Sequence, residues 1–353
     1  MDLNALFILA AEGGASDVHL LFDYEPIFRL DGKLLTLSEF SSKAKVKKIS
    51  KEDLNSFTTV ILNKEQKEKF FNNKDLDLAY QIKNYRFRVN FSFEKENISI
   101  VARVIKDEKP SLDEIGMPPV VKDLMNLPQG FVLVTGPTGC GKSTTLAAMI
   151  NHINSNRNVN IITLEDPIEF IFKPEKSIIS QRQLGIDMIS FASGLKHVLR
   201  QDPNVIMLGE MRDLETIAAA ITLAETGHLV FATLHTYNAA QTIDRIIDIF
   251  PPHQQSQVRS QLSGILTAII SQRLLPNIGG GRIAAREILL NNNAVANLIR
   301  EGKVAQIKSV IETNASIGMI SMDKHIKELY RAGEIEREVA ENYMEDVRNL
   351  DLK

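Results

Sequence analysis

The spacing of apolar positions divides the first hundred residues into short elements. Residues 3–12 are predicted to form a helix, and alternation over 18–22 predicts a strand. The Asp31-Gly32 step lies between two short apolar runs and predicts a hairpin. A charge-rich stretch over 51–72 has apolar residues at helical spacing.

A second predicted hairpin carries the clearest strand in the protein. Apolar residues alternate over 76–82 and again over 85–93. The period of two places the aromatic side chains of the second run on one face, with Arg86 and Arg88 on the other. A further strand over 98–105 carries Arg103.

The pattern changes after residue 105. Residues 106–116 are rich in Lys, Asp, Glu, Pro and Gly, which predicts a linker between a domain over 1–105 and a domain over 117–353. Beyond the linker, apolar strands alternate with amphipathic helices, which predicts an α/β fold with a parallel sheet covered on both faces. The predicted strands are 131–135, 159–164, 204–209 and 229–234, the predicted helices are 143–154, 189–199, 212–225 and 239–249, and the end from about 293 is predicted to be helical with breaks at Gly302, Gly318 and Gly333.

Composition narrows the class of protein. The chain has 353 residues, of which 44% are hydrophobic and 24% charged, with a net charge of −3 and one cysteine. These values are typical of a globular protein, predict no nucleic-acid partner and exclude an intrachain disulfide. An apolar run over 5–11 lacks the positively charged leader of a signal peptide, so we predict a cytoplasmic protein. The basic cluster of Lys43, Lys45, Lys47 and Lys48 is predicted to be a solvated loop.

One stretch carries explicit chemistry, the segment 136–143, which we call the phosphate loop. It fits the pattern G-x-x-x-x-G-K-[ST], with an apolar strand before it and an amphipathic helix after it. Glycines turn backbone N–H groups toward a phosphate, Lys142 reaches the outer phosphates, and the Ser143 hydroxyl binds Mg²⁺. The predicted nucleotide-binding residues are Gly136, Pro137, Thr138, Gly139, Cys140, Gly141, Lys142, Ser143 and Thr144.

Two later strands end in carboxylates. The apolar run 161–164 leads into Glu165, which is predicted to face the ligand crevice and to orient or deprotonate water. The alternative is that Asp166-Pro167 begins a turn and Glu165 is solvated. The run 205–208 leads to Glu210, which is predicted to act near Mg²⁺.

A fourth apolar strand is bracketed by histidines. His235 follows the ligand-facing end of the strand, and we predict that it senses the γ-phosphate. His228 precedes the opposite end, and taken by itself it is predicted to be structural.

These segments together resemble a known family. The stretches GPTGCGKSTT, TLEDPIEF, VIMLGEMRD and TGHLVFATLHT resemble the Walker A, aspartate-box, Walker B and histidine-box segments of the secretion ATPase superfamily. Residues 14–20, 86–90 and 294–307 resemble the branch that retracts type IV pili. The single cysteine agrees with that branch, because assembly and type II secretion ATPases usually carry a four-cysteine zinc module.

The resemblance implies a PAS-like N-terminal domain, a RecA-like ATPase domain and a ring-shaped homohexamer that binds ATP and Mg²⁺. It implies a general base at Glu165, a Walker B acid at Glu210 and a histidine box that includes His228 and His235. Arginines of the N-terminal domain would reach the phosphates, and the candidates are Arg86, Arg88 and Arg103. The implied partner is a pilus platform protein, at the cytoplasmic face of the inner membrane.

Three functional alternatives stay open at this point. Ala296 stands where the retraction pattern often has arginine, which leaves a paralogue acting in assembly or regulation as an alternative to the principal motor. A nucleic-acid translocase on the same core is disfavoured by the acidic balance. A scaffold that binds ATP without hydrolysing it is disfavoured by the intact carboxylates.

Overall fold

The computed structural model describes residues 2–30, 32–41, 47–105 and 109–350. The chain divides into two compact units, Met1–Glu108 and Lys109–Lys353. Outside the described residues lie Asp31 of the predicted hairpin, Lys43 and Lys45 of the predicted basic loop, and 106–108 of the predicted linker. The remainder of that linker, 109–116, lies in the second unit, and the domain boundaries stay a prediction.

The first unit is built on an antiparallel sheet with strand order β3-β2-β1-β6-β5-β4. Its elements are α1 (Leu3–Glu12), β1 (Asp17–Leu20), β2 (Ile27–Leu30), β3 (Lys33–Thr36), α2 (Leu37–Phe40), α3 (Lys51–Ile61), α4 (Lys64–Asn73), β4 (Asp75–Ile82), β5 (Tyr85–Glu94) and β6 (Asn97–Ile105). Capping boxes at Ser50 and Asn63 begin α3 and α4, and so divide the charge-rich stretch into two helices. Phe87 and Phe91 of β5 are fully buried, as the alternation predicts.

The second unit contains a sheet with strand order β13-β12-β7-β11-β10-β8-β9. Its strands are β7 (Gly130–Thr135), β8 (Asn160–Glu165), β9 (Ile178–Gln183), β10 (Val205–Leu208), β11 (Leu229–Leu234), β12 (Leu266–Pro276) and β13 (Arg282–Leu290). Its helices are α5 (Pro119–Leu124), α6 (Lys142–Asn156), α7 (Phe191–Val198), α8 (Leu214–Glu225), α9 (Ala239–Asp248), α10 (Pro252–Ile265), α11 (Asn293–Glu301), α12 (Ile307–Thr313), α13 (Met322–Arg331) and α14 (Arg337–Tyr343). The pairing is parallel except for the antiparallel edge strand β13.

Burial on both faces explains why the central strands read as continuous apolar runs. In β7, Phe131 and Leu133 contribute to one hydrophobic core, while Val132 and Val134 contribute to the other. The buried side chains of helices α7, α8 and α9 belong to the first core, and those of α6 belong to the second. This arrangement is the one expected of a parallel sheet between helical layers, and the predicted α/β fold class is confirmed.

The order of the strands decides which loops meet. The neighbours β7, β11, β10 and β8 run parallel, so the segments that follow them emerge at the same edge of the sheet. The phosphate loop follows β7, His235 follows β11, and Glu210 follows β10, while Glu165 is the last residue of β8. This carboxyl edge is the place where open α/β sheets bind their ligands.

The C-terminal region is helical from α11 to α14. Gly302 ends α11 with a φ of 70°, and Gly333 follows α13 with a φ of 75°, so the predicted breaks at these positions are confirmed. Among the described residues, helices with the length and hydrophobicity needed to cross a bilayer do not occur.

Candidate functional site

The phosphate loop has the backbone that its glycines predict. Gly139 and Gly141 have φ values of 78° and 89°, and Gly136 has a φ of 144°. A Cβ atom at Gly136 would lie 2.3 Å from the carbonyl oxygen of Gln272, so no larger residue fits there without displacing β12. Helix α6 begins at Lys142, which puts the positive end of its dipole at the loop.

The ammonium group of Lys142 folds back over the loop. Its Nζ donates to the carbonyl oxygens of Gly136 at 2.8 Å and Pro137 at 3.1 Å, and lies 3.5 Å from Nδ1 of His235. Desolvation by burial lowers the pKa of Lys142. A partly desolvated ammonium with only neutral oxygen acceptors on the loop is well suited to exchange them for phosphate oxygens.

Glu165 is a buried carboxylate with one oxygen already engaged. The residue is 6% exposed, and its Oε1 accepts hydrogen bonds from Thr163 Oγ1 at 2.6 Å and Gln181 Nε2 at 3.0 Å. Desolvation by burial raises the pKa of Glu165, although both donors oppose that shift. Such a carboxylate is a stronger base than an exposed glutamate and fits the predicted role toward water.

Glu210 and His235 meet between the neighbouring strands β10 and β11. His235 Nε2 lies 3.6 Å from Glu210 Oε2, and Arg212 Nε lies 2.6 Å from Glu210 Oε1. The structure therefore brings three functional side chains into sequence, from Lys142 through His235 to Glu210. Thr233 Oγ1 donates to the carbonyl oxygen of Gly209 and ties the segment after β10 to β11.

Three residues around the site were not predicted from the sequence. Arg212 pairs with Glu210, Gln181 donates to Glu165, and Gln272 contacts the phosphate loop. The signal for Arg212 was available, since it stands two residues after the Walker B acid. The two glutamines lie within β9 and β12, and their sequence context does not distinguish them from other strand residues.

His228 lies at the other end of β11 and is not brought to the phosphate loop within one chain. Its Nδ1 is 2.9 Å from the carbonyl oxygen of Leu223 and 3.1 Å from Thr226 Oγ1. These contacts agree with the structural interpretation of this residue taken by itself. Its membership of a catalytic histidine box stays a prediction.

The three candidate arginines lie together on one face of the antiparallel sheet in the first unit. Arg88 and Arg103 are direct cross-strand partners on β5 and β6, and Arg86 is two residues from Arg88. Arg103 Nε donates to the buried Asp17 at 2.8 Å, and Arg88 Nε lies 3.8 Å from Asp77. Which of the three acts on a phosphate stays a prediction.

The donor set fits a nucleotide-bound magnesium ion. In the part of the chain that the structure describes, side chains of His, Cys, Asp and Glu form no group of three that could hold a metal alone. The predicted ligands, the Ser143 hydroxyl and the Glu210 carboxylate, are hard oxygen donors. Mg²⁺ prefers such oxygens and commonly takes one or two from protein and the others from phosphate and water.

The parallel sheet, the phosphate loop and the carboxylates at its edge define a P-loop ATPase with a RecA-like core. The sequence matches the family described as "Type II/IV secretion system protein" over residues 2–351. The chain belongs to this family, which confirms the predicted resemblance.

Individual relatives cover nearly the whole chain. The type IV pilus retraction ATPase PilT of Pseudomonas aeruginosa is 43% identical over 341 residues, which are 96% of this chain and 97% of that protein. The type IV pilus ATPase PilU of the same organism is 37% identical and covers 100% of this chain and 91% of its own length. The crystal structure of the pilus retraction motor PilT with bound ADP superposes with a TM-score of 0.91, at 42% identity and 99% coverage of both chains.

Proposed function

We propose that the protein is an ATP-hydrolysing motor, active as a ring-shaped homohexamer, that drives retraction of type IV pili. The observation that carries the proposal is the contact series at the carboxyl edge, where Lys142, His235 and Glu210 follow one another at 3.5 and 3.6 Å. Family membership and the relatives named as pilus retraction ATPases support retraction, rather than assembly, as the process that the motor drives.

The chemistry assigned to each residue follows from its surroundings. Lys142 exchanges its loop carbonyls for the outer phosphates of ATP, and backbone N–H groups of the phosphate loop bind the same oxygens. Glu165 accepts a proton from the attacking water, because burial makes it a stronger base. One of its oxygens is held by Thr163 and Gln181, so the carboxylate is oriented before water arrives.

His235 and Glu210 are proposed to respond to the terminal phosphate. The Glu210 carboxylate and the Ser143 hydroxyl would hold Mg²⁺. When bound, this ion offsets negative charge on the phosphate oxygens. His235 lies between Glu210 and Lys142, so loss of the terminal phosphate changes the ionic contacts of the groups on both sides of its ring.

The arginines are proposed to complete the site in the assembled ring. Arg86, Arg88 and Arg103 share one face of a sheet, and guanidinium groups bind phosphate oxygens with several parallel hydrogen bonds. In this proposal His228 does not take part in the nucleotide site of its own chain. The proposed location is the cytoplasmic face of the inner membrane, with a pilus platform protein as partner.

The test pairs enzymology with motility. In a strain that lacks the gene, wild-type protein restores pilus retraction and the Lys142→Ala variant does not, although it still forms rings. Purified wild-type rings hydrolyse ATP, and Lys142→Ala rings lose about 10²-fold or more of that activity, because the ammonium stabilises transferred charge. Retraction restored by Lys142→Ala would contradict the proposal.

A paralogue is the second candidate, and the full-length similarity to the pilus ATPase PilU favours considering it. Deletion distinguishes the two. Loss of the principal motor abolishes retraction in an otherwise wild-type strain, whereas loss of a paralogue leaves retraction in place and changes its force or regulation.

A further inference from the structure

Gln272 is a buried amide in the middle of β12. The residue is 1% exposed, and both ends of its carboxamide are engaged by the segment around the phosphate loop. Its Nε2 donates to the carbonyl oxygen of Cys140 at 2.7 Å, and its Oε1 accepts from Thr145 Oγ1 at 2.9 Å. The Cys140 carbonyl fixes the orientation of the amide, since a flipped amide would place Oε1 against this oxygen and neither atom could donate.

The backbone of Gln272 also contacts the loop. Its carbonyl oxygen occupies the space that a side chain at Gly136 would need, and its Nε2 would lie 3.3 Å from a Cβ atom at Gly141. Gln272 therefore packs against the phosphate loop at Gly136 and at Gly141. The neighbouring residue of β12, Ser271, pairs with Thr135 of β7. Thr135 Oγ1 donates to Ser271 Oγ at 2.9 Å, and this bond holds the register of the two strands.

The bond to Cys140 determines the direction of one peptide group. In a planar trans peptide, the C=O of one residue and the N–H of the next point in opposite directions. Because the Cys140 carbonyl is held toward β12, the N–H of Gly141 is turned away from β12. The negative end of this peptide dipole is thereby kept on the β12 side of the loop, and the donor is left for an anion on the other side.

We propose that Gln272 is a positioning residue that holds the phosphate loop in its nucleotide-binding conformation through the Cys140 carbonyl. The proposal rests on the proposed function, in which this loop binds ATP. It assigns the effect to one of two hydrogen bonds, since the bond from Thr145 connects Gln272 to α6 and leaves the loop peptide untouched. The two bonds can therefore be tested separately.

The test compares Gln272→Leu, which removes both bonds, with Thr145→Val, which removes only the bond to α6. The dissociation constant of a fluorescent ATP analogue is measured on purified rings of each variant, together with KM and kcat for ATP. We expect Gln272→Leu to weaken binding and to raise KM by about tenfold, because one loop carbonyl loses its donor. Thr145→Val is expected to change both by less than about threefold.

A stability role alone predicts a different pattern. It predicts that both variants lower the melting temperature while the affinity of the folded protein is unchanged, and that result would overturn the proposal. Equal losses of affinity in both variants would also overturn it. If Gln272→Leu does not fold, Gln272→Met serves as the second variant, and unchanged affinity in it has the same meaning. A wild-type protein that does not bind the analogue would instead contradict the proposed function.

Discussion

The two ends of the parallel strands in the second unit differ in what their polar side chains contact. At the carboxyl end, side chains that follow different strands face one another, as with His235 and Glu210 at 3.6 Å. At the amino end, the side chains of His228 and Asn160 contact backbone carbonyl oxygens. His228 Nδ1 lies 2.9 Å from the Leu223 carbonyl oxygen, and the Asn160 amide donates to two carbonyl oxygens at 2.8 and 2.9 Å.

Residues at the two ends of these strands therefore differ in whether their side chains are available for chemistry. The side chains of His228 and Asn160 satisfy backbone carbonyl groups that precede their strands or neighbouring strands, so their hydrogen-bonding capacity is used by the fold. Side chains at the carboxyl end lie beside a helix N-terminus and the phosphate loop, where anions are stabilised. His228 and His235 bracket one strand and stand about 20 Å apart along it, which makes them a matched pair.

The largest expected effect belongs to the carboxyl end. Glu165→Gln keeps the shape of the side chain and an oxygen that can accept from Thr163 and Gln181, but it removes the base. We expect kcat for ATP hydrolysis to fall by about 10²- to 10⁴-fold. The dissociation constant for ATP is expected to stay within about threefold, because the loop contacts are unchanged.

Steady-state turnover and equilibrium binding on the same rings check this prediction. Hydrolysis at the wild-type rate would show that the base lies elsewhere, and a comparable loss of ATP binding would show that Glu165 is structural.

Substitution of His228 and of His235 tests whether the two ends of β11 differ in function. His235→Ala is expected to lower kcat by about ten- to a hundredfold, because a hydrogen bond to a charged group is lost. His228→Ala is expected to leave kcat near the wild-type value and to reduce the free energy of unfolding by about 1 kcal/mol, through the bond to backbone. Turnover assays and urea unfolding of both variants provide the measurement.

An equal loss of kcat in both histidine variants would contradict the distinction between the two ends of the strand. It would assign His228 to the catalytic histidine box of the resemblance, acting through the assembled ring.

The sequence predicted the parts of the site more successfully than their arrangement. The strands β7, β8, β10 and β11 were found because each is an apolar run that leads to glycine, carboxylate or histidine. Their spatial order is not encoded locally. It depends on which crossover packs on which face, so the contact between His235 and Glu210 could not be derived from spacing.

Two strands that shape the loop and the base were also missed. In β12 the apolar run follows α10 without a turn signal, and β9 consists of two isoleucines followed by four polar residues, so it lacks the alternation that predicts a strand. Gln272 and Gln181 become important only because β12 and β9 pair beside β7 and β8. Their roles are tertiary, which is why sequence patterns alone gave no indication of them.

Gln181→Leu is expected to change kcat least at neutral pH, and its effect is specific to the pKa of Glu165. Gln181 stabilises the ionised form of Glu165 by donating to Oε1, while burial raises the pKa of that carboxyl group. Gln181→Leu removes a donor that lowers the pKa of Glu165, while burial still raises it. The pKa of Glu165 is therefore expected to rise further. Since the base acts deprotonated, kcat is lost as pH falls through this pKa, and the acid limb of the pH profile moves to higher pH.

The expected displacement is up to about one pH unit, which corresponds to one hydrogen bond to a charged group. Thr163→Val is the matched control, because it removes the other donor to the same oxygen and is expected to move the limb in the same direction. The Gln181 side chain also donates from Nε2 to the Phe170 carbonyl oxygen and accepts at Oε1 from the Phe172 backbone N–H. If that loop contact were its whole role, Gln181→Leu would lower kcat equally at every pH, and an unmoved acid limb in both variants would separate Gln181 from the chemistry of the carboxyl end.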